Sequence, residues 1–143
     1  MKFPISNSAL IFGLLALATS VTVSGQTNTS NAPRRSNPPS PLERQGERLF
    51  AQQCAVCHNV ARGTPNKSGP TLSGMFGTKV GSRPGFNYSP ALKGANYRWT
   101  DAKLDAFLSS PQKAVPGNRM PFAGIKSAES RHALVTYLKA VTR

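Results

Sequence analysis

The chain has 143 residues, room for one domain at ~100–200 residues per domain. Its 12 Gly and 12 Pro with 38% hydrophobic residues argue against a chain built mainly of long regular elements. Lys and Arg number 18 against 5 Asp and Glu, a net charge of +13, and there are two cysteines. A disulfide-rich scaffold and a four-thiolate zinc site are therefore excluded, internal repeats are absent, and no apolar run after residue 25 is long enough to span a bilayer.

The N-terminus reads as an address. Lys2 opens a short polar start, and Ala9 to Val23 is apolar or small throughout. That fits the apolar region of a secretory signal and falls short of the ~20 residues of a transmembrane helix. Residues 1–25 are expected to be a signal peptide, cleaved after Ser20 or after Gly25, with an uncleaved membrane anchor as the alternative. No Cys lies near either site, so a lipoprotein is not indicated. Residues 26–41 are dominated by Thr, Asn, Ser, Arg and Pro. They bury too little to offset their ordering entropy and read as a disordered linker or tail. The folded unit is then 42–143, in a periplasmic or otherwise exported protein.

Three segments of that unit read as helices. Leu42 to Cys54 places Leu42, Gly46, Leu49 and Phe50 on one face and Glu43, Arg44, Glu47 and Arg48 outside. A shorter helix follows Thr100, with Asp101 near its start, Leu104, Phe107 and Leu108 turned inward, and an end before Pro111. Ser127 to Val141 has Ser127 as N-cap, Glu129 in its first turn, and Leu134, Tyr137, Leu138 and Val141 at helical spacing. Gly46 lets another helix approach closely, so the first and last helices are expected to pair there. Residues 59–99 sustain no period of 2 or 3.6. A loop of that length makes sense if the chain wraps a large apolar group that also completes its core.

Cys54-Ala55-Val56-Cys57-His58 names that group, because C-x-x-C-H is the arrangement for c-type haem attachment. Two thiols one helical turn apart can form thioethers to two vinyl groups on one haem edge, and the adjacent His58 reaches the iron. A thioredoxin-like redox pair would want a βαβ context that is not visible. A zinc site would need four ligands when only His132 remains elsewhere, and a disulfide across two residues would be strained. Beyond the signal, only Met75 and Met120 can offer a thioether as sixth ligand. Met75 reads as core packing. Met120 follows the rigid, irregular approach from Pro111 through Pro116-Gly117 and is favoured. His132 reads as a surface residue.

These residues lie in an order that resembles the class I, monohaem cytochromes c of mitochondria and the bacterial periplasm. The resemblance runs from Gly46 and Phe50 through Cys54-x-x-Cys57-His58, Gly69-Pro70-x-Leu72, Gly77 and Pro84-Gly85-Phe86-x-Tyr88. It continues through Trp99, Pro111, Pro116-Gly117-x-x-Met120 and Phe122-Ala123-Gly124 to Tyr137-Leu138. It implies an all-α cytochrome c fold: three to five helices and long loops around one covalent haem c, with the N- and C-terminal helices packed together. It also implies that Cys54 and Cys57 bind the haem and that His58 and Met120 ligate its iron. Pro70, through its carbonyl, would accept a hydrogen bond from His58. Tyr88 and Trp99 would hydrogen-bond a haem propionate, and Phe122 would cover the haem edge.

Some positions depart from the family. Thr78 stands where many members have Arg, Phe107 where many have Tyr, Asn118 and Leu92 where Thr and Asn are usual, and Asn66 where a His often braces the loop. By the same resemblance Lys67, Lys113, Arg119 and Lys126 would ring the haem edge, while Gln53 and Gln112 replace lysines. The basic residues are not clustered and the chain reads as exported, so nucleic acid is not the expected partner. The expectation is a monomeric one-electron carrier, not an enzyme, that docks on acidic faces of redox proteins without inserting its mature domain in a membrane. The alternative is a haem-based peroxidase or small-ligand sensor with a labile sixth ligand.

Overall fold

A computed structural model describes residues 37–143; the expected signal peptide and residues 26–36 of the linker lie outside the described residues. Helix α1 (Pro41–Gln53) begins at a reciprocal cap. Ser40 Oγ accepts the Glu43 N–H at 3.2 Å, and Glu43 Oε2 accepts the Ser40 N–H at 2.7 Å. Pro41 fills the first helical position, where a missing N–H costs nothing.

Helix α2 (Pro90–Gly94) starts at Ser89, whose hydroxyl accepts the Leu92 N–H. Helix α3 (Asp101–Ser109) is capped by Thr100, and α4 (Pro111–Ala114) follows at once. Helix α5 (Ala128–Val141) is capped by Ser127 and carries Glu129 in its first turn, where a carboxylate favours the helix dipole. Among the described residues, α2 and α4 are too short to show a period and are not legible as periodic segments in the sequence. Among the described residues there is no strand, only an isolated antiparallel bridge between Lys79 and Arg98.

Helices α1 and α5 pack against each other, and α3 packs on α5 and α4. At the crossing, a Cβ on Gly46 would run into the Ala133 carbonyl and lie 2.6 Å from Tyr137 Cβ. Beside it the Phe50 and Tyr137 rings sit 5.7 Å apart. The core gathers Phe50 and Met75 with Leu104, Leu108, Ile125, Leu134, Val135 and Leu138. The expected all-α fold with paired terminal helices is the one observed.

The long irregular stretch between α1 and α2 is tied down piecemeal. The Gly77 N–H donates to the Trp99 carbonyl at 2.8 Å, Val80 to Tyr97 at 3.0 Å, and Gly74 to Thr142. Arginines supply further ties to backbone oxygens: Arg62 to Arg143 and Arg98 to Gly77, both at 2.8 Å, and Arg83 to Ser73. Asn66 braces the same region, donating to the Gly85 carbonyl at 3.0 Å while accepting the Thr71 N–H at 2.9 Å.

Candidate functional site

Between these loops and the helices lies a cavity of about 720 Å³, within the range of small-molecule and cofactor sites. All eight residues expected at the site line it: Cys54, Cys57, His58, Pro70, Tyr88, Trp99, Met120 and Phe122.

The end of α1 shapes the cysteine turn. The Cys54 N–H donates to the Phe50 carbonyl at 2.9 Å, and the Cys54 carbonyl accepts from Cys57 (3.0 Å) and His58 (2.9 Å). One further turn thus brings two free thiols to the cavity wall. Burial, and then the neighbouring Cys57, push the Cys54 thiol up to about 11, so it stays protonated at neutral pH.

His58 follows directly. Its Nδ1 lies 2.7 Å from the Pro70 carbonyl, and the carbonyl can only accept, so Nδ1 carries the proton and Nε2 is left as the donor nitrogen. Burial pulls the imidazole pKa below its usual value; the Pro70 bond opposes this, and the charge of Lys67 adds to it. The ring is therefore neutral at neutral pH, the form that binds metals. The loop reaches it only because residue 69 is glycine: a Cβ there would strike the ring, 2.8 Å from Nδ1.

On the far side of the sequence, Trp99 packs edge-on against Tyr97 (5.7 Å) and Phe107 (5.2 Å). Tyr88 packs edge-on against Phe86 at 4.8 Å. Burial raises the Tyr88 phenol pKa, and the neighbouring Arg83 opposes that rise. Two unpaired thiols, an oriented neutral imidazole and a thioether around one largely apolar cavity form a donor set that fits a covalently attached, iron-bearing macrocycle.

The profile of the cytochrome c family matches residues 43–142. The chain belongs to the cytochrome c family. It is 44% identical over 98 residues to cytochrome c of Chlamydomonas reinhardtii, covering 68% of this chain and 88% of that one. It is 40% identical over 99 residues to cytochrome c of Sesamum indicum, covering 69% and 89%. With cytochrome c of Arabidopsis thaliana it shares 40% over 100 residues, covering 70% and 89%. Membership supports electron transport rather than catalysis as the role of this chain, with the C-x-x-C-H motif in the place expected for haem attachment.

Of the positions expected to depart from the family, Asn66, Gln112 and Asn118 do not line the cavity, whereas others do. Thr78, Leu92 and Phe107 all line the cavity, with the Thr78 hydroxyl donating to the Met75 carbonyl at 2.6 Å. Met75 is buried in the helical core yet also touches the cavity. Of the four cations expected around its mouth, Arg119 lines it, while Lys67, Lys113 and Lys126 are exposed outside it. Lys79 and Arg83 also line the wall; no spacing in the sequence pointed to them. His132 is exposed on α5, away from the cavity. Val56, the exposed large hydrophobic residue among those described (80%), also borders the cavity.

No helix among the described residues is long and apolar enough to cross a membrane.

Proposed function

We propose that this chain is an exported one-electron carrier, in which Cys54 and Cys57 hold one haem c by thioether bonds and His58 and Met120 ligate its iron. The observation that carries the reading is the His58–Pro70 contact: with the proton on Nδ1, it leaves the Nε2 lone pair able to ligate, in a cavity that both cysteines and Met120 line. When bound, the haem supplies one-electron chemistry, its iron cycling between Fe(III) and Fe(II), and His/Met ligation raises its reduction potential.

The chain's own residues do the rest. The Pro70 carbonyl fixes the tautomer of His58 and raises its basicity as a ligand. Tyr88 and Trp99 would offer donors to the propionates, and Phe122 would cover the haem edge. The largely apolar wall of the cavity would limit water at the iron. Residues 1–25 direct export, and the tail or linker expected over 26–41 ends at the Ser40 cap, since Pro41 already belongs to α1. The net charge of +13 favours redox partners with acidic faces, and the exposed Val56 offers them an apolar contact beside the cavity. The donor would be a quinol-oxidising cytochrome bc complex or a dehydrogenase, and the acceptor a terminal oxidase or a reductase.

The test is the ferric spectrum of the chain, expressed in a periplasm with haem-attachment machinery, together with its Met120→Ala variant. A weak far-red band from thioether sulfur to ferric iron, lost in the variant, is the expected result. Covalent haem without that band, and ready binding of carbon monoxide, would overturn the carrier reading in favour of a sensor or peroxidase.

A further inference from the structure

The loop that carries Met120 is closed from within by one buried side chain. Asn118 is 5% exposed, and its side-chain amide makes three hydrogen bonds to the surrounding backbone. Its Nδ2 donates to the Pro111 carbonyl at 2.8 Å and to the Val115 carbonyl at 2.9 Å. Its Oδ1 accepts the Met120 N–H at 2.9 Å. The Asn118 carbonyl in turn accepts from Gln112 Nε2 at 3.1 Å, and the Asn118 N–H donates to the Val115 carbonyl at 3.1 Å. The amide thus joins both ends of α4 to the backbone of Met120, two residues on.

The segment from Val115 to Ser127 contains no helix or strand, and Gly117 takes a left-handed φ of +82°. The segment's other ties lie to either side of Met120: Arg119 donates outward to the Asn87 carbonyl at 2.8 Å, the Ile125 N–H donates to the Leu108 carbonyl at 2.8 Å, and Arg131 donates to the Ile125 and Lys126 carbonyls, both at 2.9 Å. The Met120 carbonyl accepts from Phe122, within the same loop. A side chain that needs two donors and an acceptor at one buried point is met by Asn. A hydroxyl offers one donor, and a carboxylate offers none.

We infer that Asn118 is the positioning residue for Met120: its amide clamps the Met120 backbone to α4 and so holds the thioether toward the cavity. The inference rests on the reading of Met120 as an iron ligand. On that reading, opening the clamp leaves the thioether attached to a looser loop and makes it easier to displace, with little effect on the distant α1–α5 pairing.

The test uses the haem-loaded full chain in four forms: parent, Asn118→Ala, Asn118→Ser and Val135→Ala. Val135 is buried in the α5 core and does not line the cavity, so its variant lowers global stability without touching the loop. Ferric protein is titrated with imidazole while the far-red band is followed, and amide exchange at Met120 is read by NMR. Asn118→Ala is expected to raise the apparent imidazole affinity about tenfold, close to the upper worth of the one hydrogen bond it takes from the Met120 N–H, and to abolish protection of the Met120 amide. Asn118→Ser, which keeps an acceptor and one donor, should fall between; it carries the test if the alanine variant does not fold. Val135→Ala should match the parent in both readouts. A parent with the band whose Asn118 variants match it in affinity and Met120 protection overturns the inference alone. A parent without the band overturns the ligand reading, and this inference with it.

Discussion

The bare α-carbon of Gly46 rests against the backbone carbonyl of Ala133, so α1 and α5 meet backbone to backbone. Because the obstacle is main chain, it cannot rotate away. Gly46→Ala is therefore expected to destabilise the haem-loaded protein by ~3 kcal/mol or more, the upper end of overpacking costs, despite the better helix propensity of Ala. Guanidinium unfolding followed by far-UV circular dichroism measures it; a loss below about 1 kcal/mol would contradict the close approach.

Gly69→Ala tests the cradle of His58. The new methyl would occupy the space of the imidazole ring and force either the ring or the 69–70 backbone to move, stretching the 2.7 Å contact with Pro70. The expected outcome is a lower yield of covalently loaded protein and a shifted reduction potential in what is loaded. A potential equal to the parent's would show that the contact does not tune the site.

Phe107→Ala removes the ring that packs on Trp99 at 5.2 Å and lines the cavity. At 6% exposure its truncation is expected to cost ~3–5 kcal/mol, read as a lower thermal midpoint. Phe107→Tyr should cost much less, because the ring contact with Trp99 is kept.

The tyrosines give a pH dependence with a definite sign. Burial raises the Tyr97 phenol above its ordinary value, and raises Tyr88 against the opposing Arg83. The neutral forms are thus favoured in the folded state. Their contribution to stability is fully present below the unfolded value of about 10 and is lost as pH rises through the raised folded values. Tyrosinate absorbance should accordingly appear later in the folded protein than in urea, and Tyr97→Phe should remove one late-titrating component.

Association with an acidic redox partner should slow steeply as salt rises, since screening acts over ~10 Å at 0.1 M. Val56→Asp places a carboxylate beside the cavity mouth, where the side chain is 80% exposed. It is expected to lower the second-order rate of electron exchange with such a partner several-fold while leaving the thermal midpoint unchanged. An unaltered rate would place docking elsewhere.

The sequence carried the helices that bury a face and the motif that is contiguous. Helices α1, α3 and α5 announce themselves because caps at Thr100 and Ser127 and the 3.6-residue apolar spacing agree, and Cys54 to His58 is local by construction. Helices α2 and α4 are one turn or little more, so Pro90 and Pro111 mark their starts without any period to follow. The path of the chain between α1 and α2 was invisible because several of its anchors join side chains to backbone oxygens at no fixed spacing, as Arg62 meets Arg143. Asn118 read as a residue standing where Thr is usual, and nothing in that substitution announced its hydrogen bonds to the Pro111 and Val115 carbonyls and to the Met120 N–H.

Those arginine anchors have a chemical consequence of their own. An amide carbonyl carries no net charge, so the ties that Arg83, Arg98 and Arg119 make to carbonyls leave the positive charge of each guanidinium uncancelled, unlike the Lys139–Asp101 and Arg131–Asp105 pairs on the helices. In a chain with only 5 acidic residues, the loops are thus stitched together by groups that also keep the molecule positive.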